Sequence, residues 1–225
     1  ESHVEQWREP HDMLLHLGGT IGVDAPPQIV RSSIDDPAHH AAWRLREMLI
    51  ARGVKVKGAI DVSHRFARLD DTAEPQGQPV AGAEAPLAVV AMEPLSQNVF
   101  TINKLSQNLF AELLLRRLGH LSGSGSIKDG QTALHAIMAG AGVPETGYDL
   151  SDGSGMSSYN RITPRAAVAL LTWAARQPWG AEWRTSLPIG GKDGTLRGRF
   201  GETALDGRIF AKTGTLNAAS ALSGY

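Results

Sequence analysis

The chain contains no cysteine. Disulfide staples, thiolate nucleophiles and sulfur-based zinc sites are therefore excluded, while the redox compartment stays open, because an oxidising space does not require cysteine. Long apolar runs are missing too. The longest, Ala166 to Ala175, is ten residues, about half of what a membrane-spanning helix needs. There is no excess charge of either sign: 22 Lys and Arg face 23 Asp and Glu, a net −1. That leaves no basic field for nucleic acid and no acidic tail. The first residues, ESHVEQWREPHDMLL, carry no basic segment followed by an apolar one and no initial methionine. They do not read as a signal peptide, and the expectation is a gene product that starts earlier. None of the eight histidines lies in an HExxH pattern, and the adjacent pair His39 and His40 would point about 100° apart on a helix, so no metal is expected.

What is present is an ordinary globular composition, 42% hydrophobic and 20% charged over 225 residues, enough for one large domain or two small ones. Residues 1–35 are loop-rich, with a candidate strand over Gln28–Ser32. Asp36 and Pro37 predict a helix start, Ala38, Ala41, Ala42, Leu45 and Leu49 share one face, and Gly53 follows the end. VKVKGAI (54–60) alternates like a half-exposed strand. Residues 70–86 are rich in Pro, Gly and acid, which marks a domain boundary, and LAVVAM (87–92) reads as a buried strand. Helices are predicted over Leu95–Lys104, Leu109–Leu118, Gln131–Ala141 and Pro164–Arg176, the last capped by Thr163. The second is apolar almost all round, which predicts a core position. GSGSIKDG and YDLSDGSGMSSYNRIT read as loops, and closing strands begin near Arg208.

Two glycine-rich stretches, HLGGTIG and PIGGKDGT, are not phosphate loops: Asp193 follows Gly191-Lys192 where a Ser or Thr is required. They read as tight turns. More informative is GRIFAKTGTLNAASALSGY, the last nineteen residues. Phe210, Lys212 and Leu216 share one face of a strand, so a cation sits among apolar neighbours and must reach solvent, a partner or a cleft. A lysine snorkelling from an edge strand is the simple reading. Gly214 favours a cleft, because glycine weakens a strand unless something must approach closely. Lys212, Thr213 and Gly214 together offer a cation, a hydroxyl and bare backbone, which suits an extended peptide ending in a carboxylate. Upstream, NKLSQNLFAELLLRRLG places Ser106 and Asn108 at a helix start, where Ser106 serves as an N-cap or turns its hydroxyl to a cleft. A near copy, LSQN at 95–98, shows that Ser-x-Asn alone is not specific.

Ser-x-Asn followed later by Lys-Thr-Gly are two of the three motifs of the active-site-serine penicillin-recognising enzymes. With YDLSDGSGMSSYN, SLPIGGKDGTLRGRF and IDDPAHHAAWRLREMLIARGVKVKG, the chain resembles the class C low-molecular-mass penicillin-binding proteins, the D-alanyl-D-alanine carboxypeptidase/endopeptidase family, over about residues 30–225. The resemblance implies a mixed α/β (α+β) fold, a helical cluster against an antiparallel sheet. It implies that residues 1–85 are a remnant of domains inserted between the first and second motifs, and that 86–225 form an incomplete penicillin-binding domain. It further implies that Ser106 relays a proton to the leaving amine, Asn108 holds a substrate amide, and Lys212 supplies positive potential. Thr213 and Thr215 would bind the substrate carboxylate beside Gly214, the Thr215 N–H would be half of an oxyanion hole, and Asp152 and Ser154 would shape the cleft wall.

The first motif of that family, Ser-x-x-Lys, is absent. No lysine has a serine three residues before it, and only Thr101-Ile-Asn-Lys104 offers a hydroxyl there. The resemblance implies that the nucleophile lies upstream of Glu1 and that the sheet continues past Tyr225. The expected activity is that of a serine carboxypeptidase, and also an endopeptidase, on peptidoglycan stem peptides ending in D-Ala-D-Ala, outside the cytoplasmic membrane. β-Lactams would be ligands and no cofactor would be needed. The 225 residues alone are expected to be inactive. The alternatives are a class A-like β-lactamase, a non-catalytic cell-wall peptide-binding module and a structural fragment without function of its own.

Overall fold

A computed structural model of the chain describes residues 2–9, 12, 14–30, 32–63, 89 and 91–225. It divides into two compact units, Glu1–Phe66 and Ala67–Tyr225.

In the first unit, β1 (His3–Trp7) and β2 (His16–Thr20) form an antiparallel hairpin in which Trp7 pairs with His16. Their rings stack at 5.3 Å. No apolar alternation announces this hairpin, because β2 carries Gly18 and Gly19, residues that strands usually avoid. Helix α1 (Pro37–Ile50) starts as predicted: the Asp36 carboxylate accepts from the His39 N–H at 2.9 Å and Pro37 occupies the first turn. Neither strand expected in this unit forms. Residues 28–30 and 32 have no regular structure, and 54–60 stay irregular because Gly58, at φ 99°, breaks the extended run. The boundary expected at 70–86 lies outside the described residues, as do three of the six residues of the strand expected at 87–92.

The second unit is mainly helical: α2 (Leu95–Leu105), α3 (Asn108–His120), α4 (Ile127–Gly140), α5 (Pro164–Ala175) and α6 (Gly180–Ser186). Among the described residues two small antiparallel ladders accompany the helices, β3 (Tyr148–Asp149) with β4 (Arg161–Ile162), and β5 (Ala211–Leu216) with β6 (Ala219–Gly224). Thr163 caps α5 by accepting from the Ala166 N–H, as its position before Pro164 predicts. Helix α4 begins four residues earlier than expected, because Ser126 accepts from the Asp129 N–H and so turns the end of GSGSIKDG into a first helical turn. The seven-residue α6 has no clear sequence signal. Met138, Val143, Tyr148 and Ala166 form a buried cluster, with Leu134, Leu150 and Leu170 packed around it. No helix among the described residues is long and apolar enough to cross a membrane.

Helix α3 departs from expectation. Only Leu115 and Gly119 are buried, while Phe110, Leu113 and Leu114 line an open groove of about 700 Å³ shared with α2. Its buried side is set by how closely α4 crosses it. A Cβ on Gly119 would stand 2.5 Å from the Gly130 nitrogen, and one on Gly130 would stand 2.5 Å from the Leu115 carbonyl oxygen. In an isolated helix Gly→Ala gains stability. Here Gly130→Ala is expected to lower it by about 1–3 kcal/mol, the cost of overpacking, read by denaturant unfolding.

Candidate active site

The last turn of α2 points two polar side chains inward. Asn103 and Lys104 are both buried. The Asn103 amide donates to the Ser186 hydroxyl at 2.8 Å, at the end of α6. The Lys104 ammonium donates to the Leu187 carbonyl at 2.6 Å and to both carboxylate oxygens of Asp193, at 2.9 and 2.7 Å. Three protons thus meet three acceptors, the condition under which a buried ion pair is tolerated. Asp193 also accepts from the Ile189 N–H at 2.8 Å. The 187–193 segment gripped in this way runs beside the start of β5: the Ala211 N–H donates to the Pro188 carbonyl and the Gly190 N–H to the Ile209 carbonyl, both at 2.9 Å. One ion pair therefore ties the end of α2 to the root of β5.

Immediately beyond this anchor the chain turns. Ser106 is not the N-cap of α3. It is the C-cap of α2, in the left-handed region at φ 55° and ψ 51°, and Gln107 holds the N-cap position. That backbone costs a non-glycine residue about 1 kcal/mol or more, and places an exposed hydroxyl at the corner between two helices. The Lys212 ammonium donates to it at 2.7 Å across 106 positions, and to the Thr213 carbonyl at 2.7 Å. Because the ammonium is the donor, the Ser106 hydroxyl proton remains available to another acceptor. Half-burial of Lys212 holds its pKa below the ordinary 10.5.

The register of β5 shows where its backbone groups point. Phe210 and Tyr225 exchange both N–H···O bonds, so they are a hydrogen-bonded pair. Alternation along the ladder makes Lys212–Ser223 and Gly214–Ala221 the next such pairs. The N–H and C=O groups of Thr213 and Thr215 therefore point to the opposite edge, the same edge on which Ala211 meets Pro188. A Cβ on Gly214 would meet only the Ala221 Cβ, at 3.9 Å. The fold itself does not demand glycine there. The Thr213 hydroxyl donates to that of Thr195 at 2.8 Å.

Asp152 organises a turn. Its carboxylate accepts from the Gly155 and Ser157 N–H groups, the Asn160 amide and the Ser154 hydroxyl. Burial alone would raise its pKa, but these donors outweigh burial and hold it below the ordinary carboxylate value. Glu112 of α3 fastens the turn by accepting from the Gly153 and Ser154 N–H groups at 2.8 and 3.2 Å. Gly153 has to be glycine: a Cβ would stand 2.6 Å from the Ala111 carbonyl. Among the described residues no hydrogen bond joins this turn directly to Lys212. Asn108 opens α3, exposed, two residues beyond Ser106. The near copy at 95–98 is the first turn of α2, with the Asn98 amide on the Glu93 carbonyl. Thr101 has no free base in Lys104, whose protons are all engaged by Leu187 and Asp193.

Sequence reasoning passed over Asn103, Glu112, Ser186, Asp193 and Thr195. Asp193 and Thr195 lie in a stretch read as a tight turn, and the one local signal is that the polar KDGT directly follows the apolar LPIGG.

The model of the D-Ala-D-Ala carboxypeptidase 3 (S13) family matches residues 3–225. A D-alanyl-D-alanine carboxypeptidase of Actinomadura sp. (strain R39) is 34% identical over 217 residues, covering 94% of this chain and 38% of its own length. Penicillin-sensitive carboxypeptidase A of Dictyostelium discoideum is 25% identical over 214 residues, with 93% and 38% covered. A crystal structure of penicillin binding protein 4 from Haemophilus influenzae, complexed with a β-lactam, superposes with a TM-score of 0.70 at 23% identity over 99% of this chain and 49% of that one. The chain thus spans less than half the length of these relatives.

Asp193→Ala leaves a buried ammonium with one carbonyl partner, and is expected to cost about 3 kcal/mol in urea unfolding. For Lys212 the penalty of burying a charge is present in full below its folded-state pKa. It is relieved as pH rises toward 10.5, where the unfolded chain binds the extra proton. Between neutral pH and that value the wild type is therefore expected to gain stability relative to Lys212→Met.

Proposed function

The chain belongs to the D-Ala-D-Ala carboxypeptidase (S13) family of serine peptidases, and on that premise we propose that the cleft between Ser106, Lys212 and the edge of β5 that faces away from β6 receives the D-Ala-D-Ala end of a peptidoglycan stem peptide. The contact that supports this most is the 2.7 Å bond from the Lys212 ammonium to the Ser106 hydroxyl. It joins two sequence-distant motifs into one polar wall beside the edge of β5 that faces away from β6.

The peptide lies extended along β5, with its terminal carboxylate held by Lys212 and the hydroxyls of Thr213 and Thr215. Gly214 leaves the room it needs, and Asn108 holds its backbone amide. A serine hydroxyl, supplied from outside these 225 residues, adds to the carbonyl carbon of the penultimate D-alanine. The Thr215 N–H contributes half of the oxyanion hole. The C–N bond then breaks, and the leaving amine takes the proton given up by the attacking serine, relayed through the Ser106 hydroxyl, whose oxygen is held by Lys212. Water cleaves the resulting ester and restores the serine. Endopeptidase action is the same step with the amine of a D-Ala–diaminopimelate cross-link as leaving group. A β-lactam acylates the same serine through its strained amide. Asp152 already accepts four hydrogen bonds, so the turn around it and Ser154 contributes shape to the cleft wall. These substrates place the site outside the cytoplasmic membrane.

The 225-residue chain is expected to take up no covalent fluorescent penicillin, while binding an acyl-Lys-D-Ala-D-Ala peptide reversibly in an NMR titration. Lys212→Ala is expected to abolish that binding. Stoichiometric covalent labelling of the chain would overturn the assignment of the nucleophile and return attention to Thr101. Unchanged peptide binding by Lys212→Ala would overturn the cleft.

A further inference from the structure

The 3₁₀ turn Gly194–Leu196 lies between two anchors. On one side Asp193 holds the buried Lys104, and on the other Leu196 is fully buried. Thr195, between them, is exposed, and its hydroxyl accepts the Thr213 proton at 2.8 Å. An exposed threonine on a turn fixed at both ends presents its hydroxyl at a defined place on the β5 edge. It does so beside the residue whose carbonyl already receives the Lys212 ammonium.

We propose that Thr195 and Thr213 act as one hydroxyl pair that binds the ligand carboxylate, and that Thr195 makes the cleft selective for a free C-terminal carboxylate. This rests on the peptide-cleft reading above. A hydroxyl donates one proton and accepts up to two. With Thr213 donating to Thr195, the Thr195 proton is left for the ligand. With the bond reversed, the Thr213 proton is left. In either sense the pair presents one O–H donor polarised by a second hydroxyl behind it, and such chains strengthen the outer bond. The gain is largest for an ionised acceptor, because charge-assisted hydrogen bonds are about twice as strong as neutral ones. A lone Thr213 hydroxyl would still donate, but without that support and with free rotation. The ion pair beneath the turn fits this role, because it fixes Thr195 relative to Ser106 through α2 as well as relative to Thr213 through β5.

The test is an NMR titration of the 225-residue chain with diacetyl-Lys-D-Ala-D-Ala and with its C-terminal carboxamide. Thr195→Val keeps the shape and removes the hydroxyl. It is expected to weaken the free acid roughly tenfold while changing the amide less than about twofold. Thr195→Ser should restore the wild-type preference for the acid, and both variants should melt with the wild type, since the side chain is exposed. Wild-type affinity of Thr195→Val for the acid, or an equal loss for acid and amide, overturns the proposal and leaves the peptide cleft standing. A wild-type chain that binds neither ligand overturns both.

Discussion

The Lys104–Asp193 ion pair is the constraint on which the site depends. A buried ammonium is tolerable only when every proton has an acceptor, and here the Leu187 carbonyl and both Asp193 oxygens supply them. Those acceptors belong to a segment that also hydrogen-bonds the root of β5. The end of α2 and the start of β5 are therefore held by the same few atoms. Ser106 lies two residues past the clamp on one side, and Lys212 one residue past Ala211 on the other. Their 2.7 Å contact follows from that shared anchor.

The geometry also separates two kinds of polar residue. Lys104, Asp193, Glu112 and Asp152 are engaged by internal partners, and they fix the backbone. Ser106, Lys212, Thr195 and Thr213 meet one another at the cleft, where each hydroxyl keeps donor or acceptor capacity for a ligand. The strained, left-handed backbone of Ser106 falls in the second group. Steric strain of this kind persists where the surroundings over-determine it, and the clamp two residues earlier does so.

Legibility from sequence followed the range of the interactions. The starts of α1 and α5 were readable because Asp36 and Thr163 cap their own helices within three residues. The start of α4 was missed although Ser126 is just as local, because GSGSIKDG looks like a loop and Gly130 is a poor helix former. Gly130 is there for the α3 crossing, which no local pattern announces. Val54–Ile60 alternated without becoming a strand, since alternation specifies a surface and not a partner. Of the two readings of Ser106, the N-cap fails and the exposed hydroxyl holds. Ser at an N-cap is the common case, and only the tight turn between α2 and α3 makes it a C-cap.

The sequence by itself determined which chemistry is on offer. A Ser-x-Asn and a Lys-Thr-Gly are local sets of a hydroxyl, an amide, a cation and bare backbone, and their identities do not depend on folding. It also determined that no Ser-x-x-Lys lies among these residues. The apolar helix that follows Ser106 already favoured it over Ser96, but tertiary structure alone decided that its hydroxyl meets the Lys212 ammonium, that Thr195 joins Thr213, and that Thr213 and Thr215 turn their backbone groups away from β6. Those outcomes depend on strand register and on an ion pair 89 residues apart in sequence. Such contacts are set by which buried charges and backbone groups must find partners when the whole chain closes, a condition that no short stretch of sequence contains.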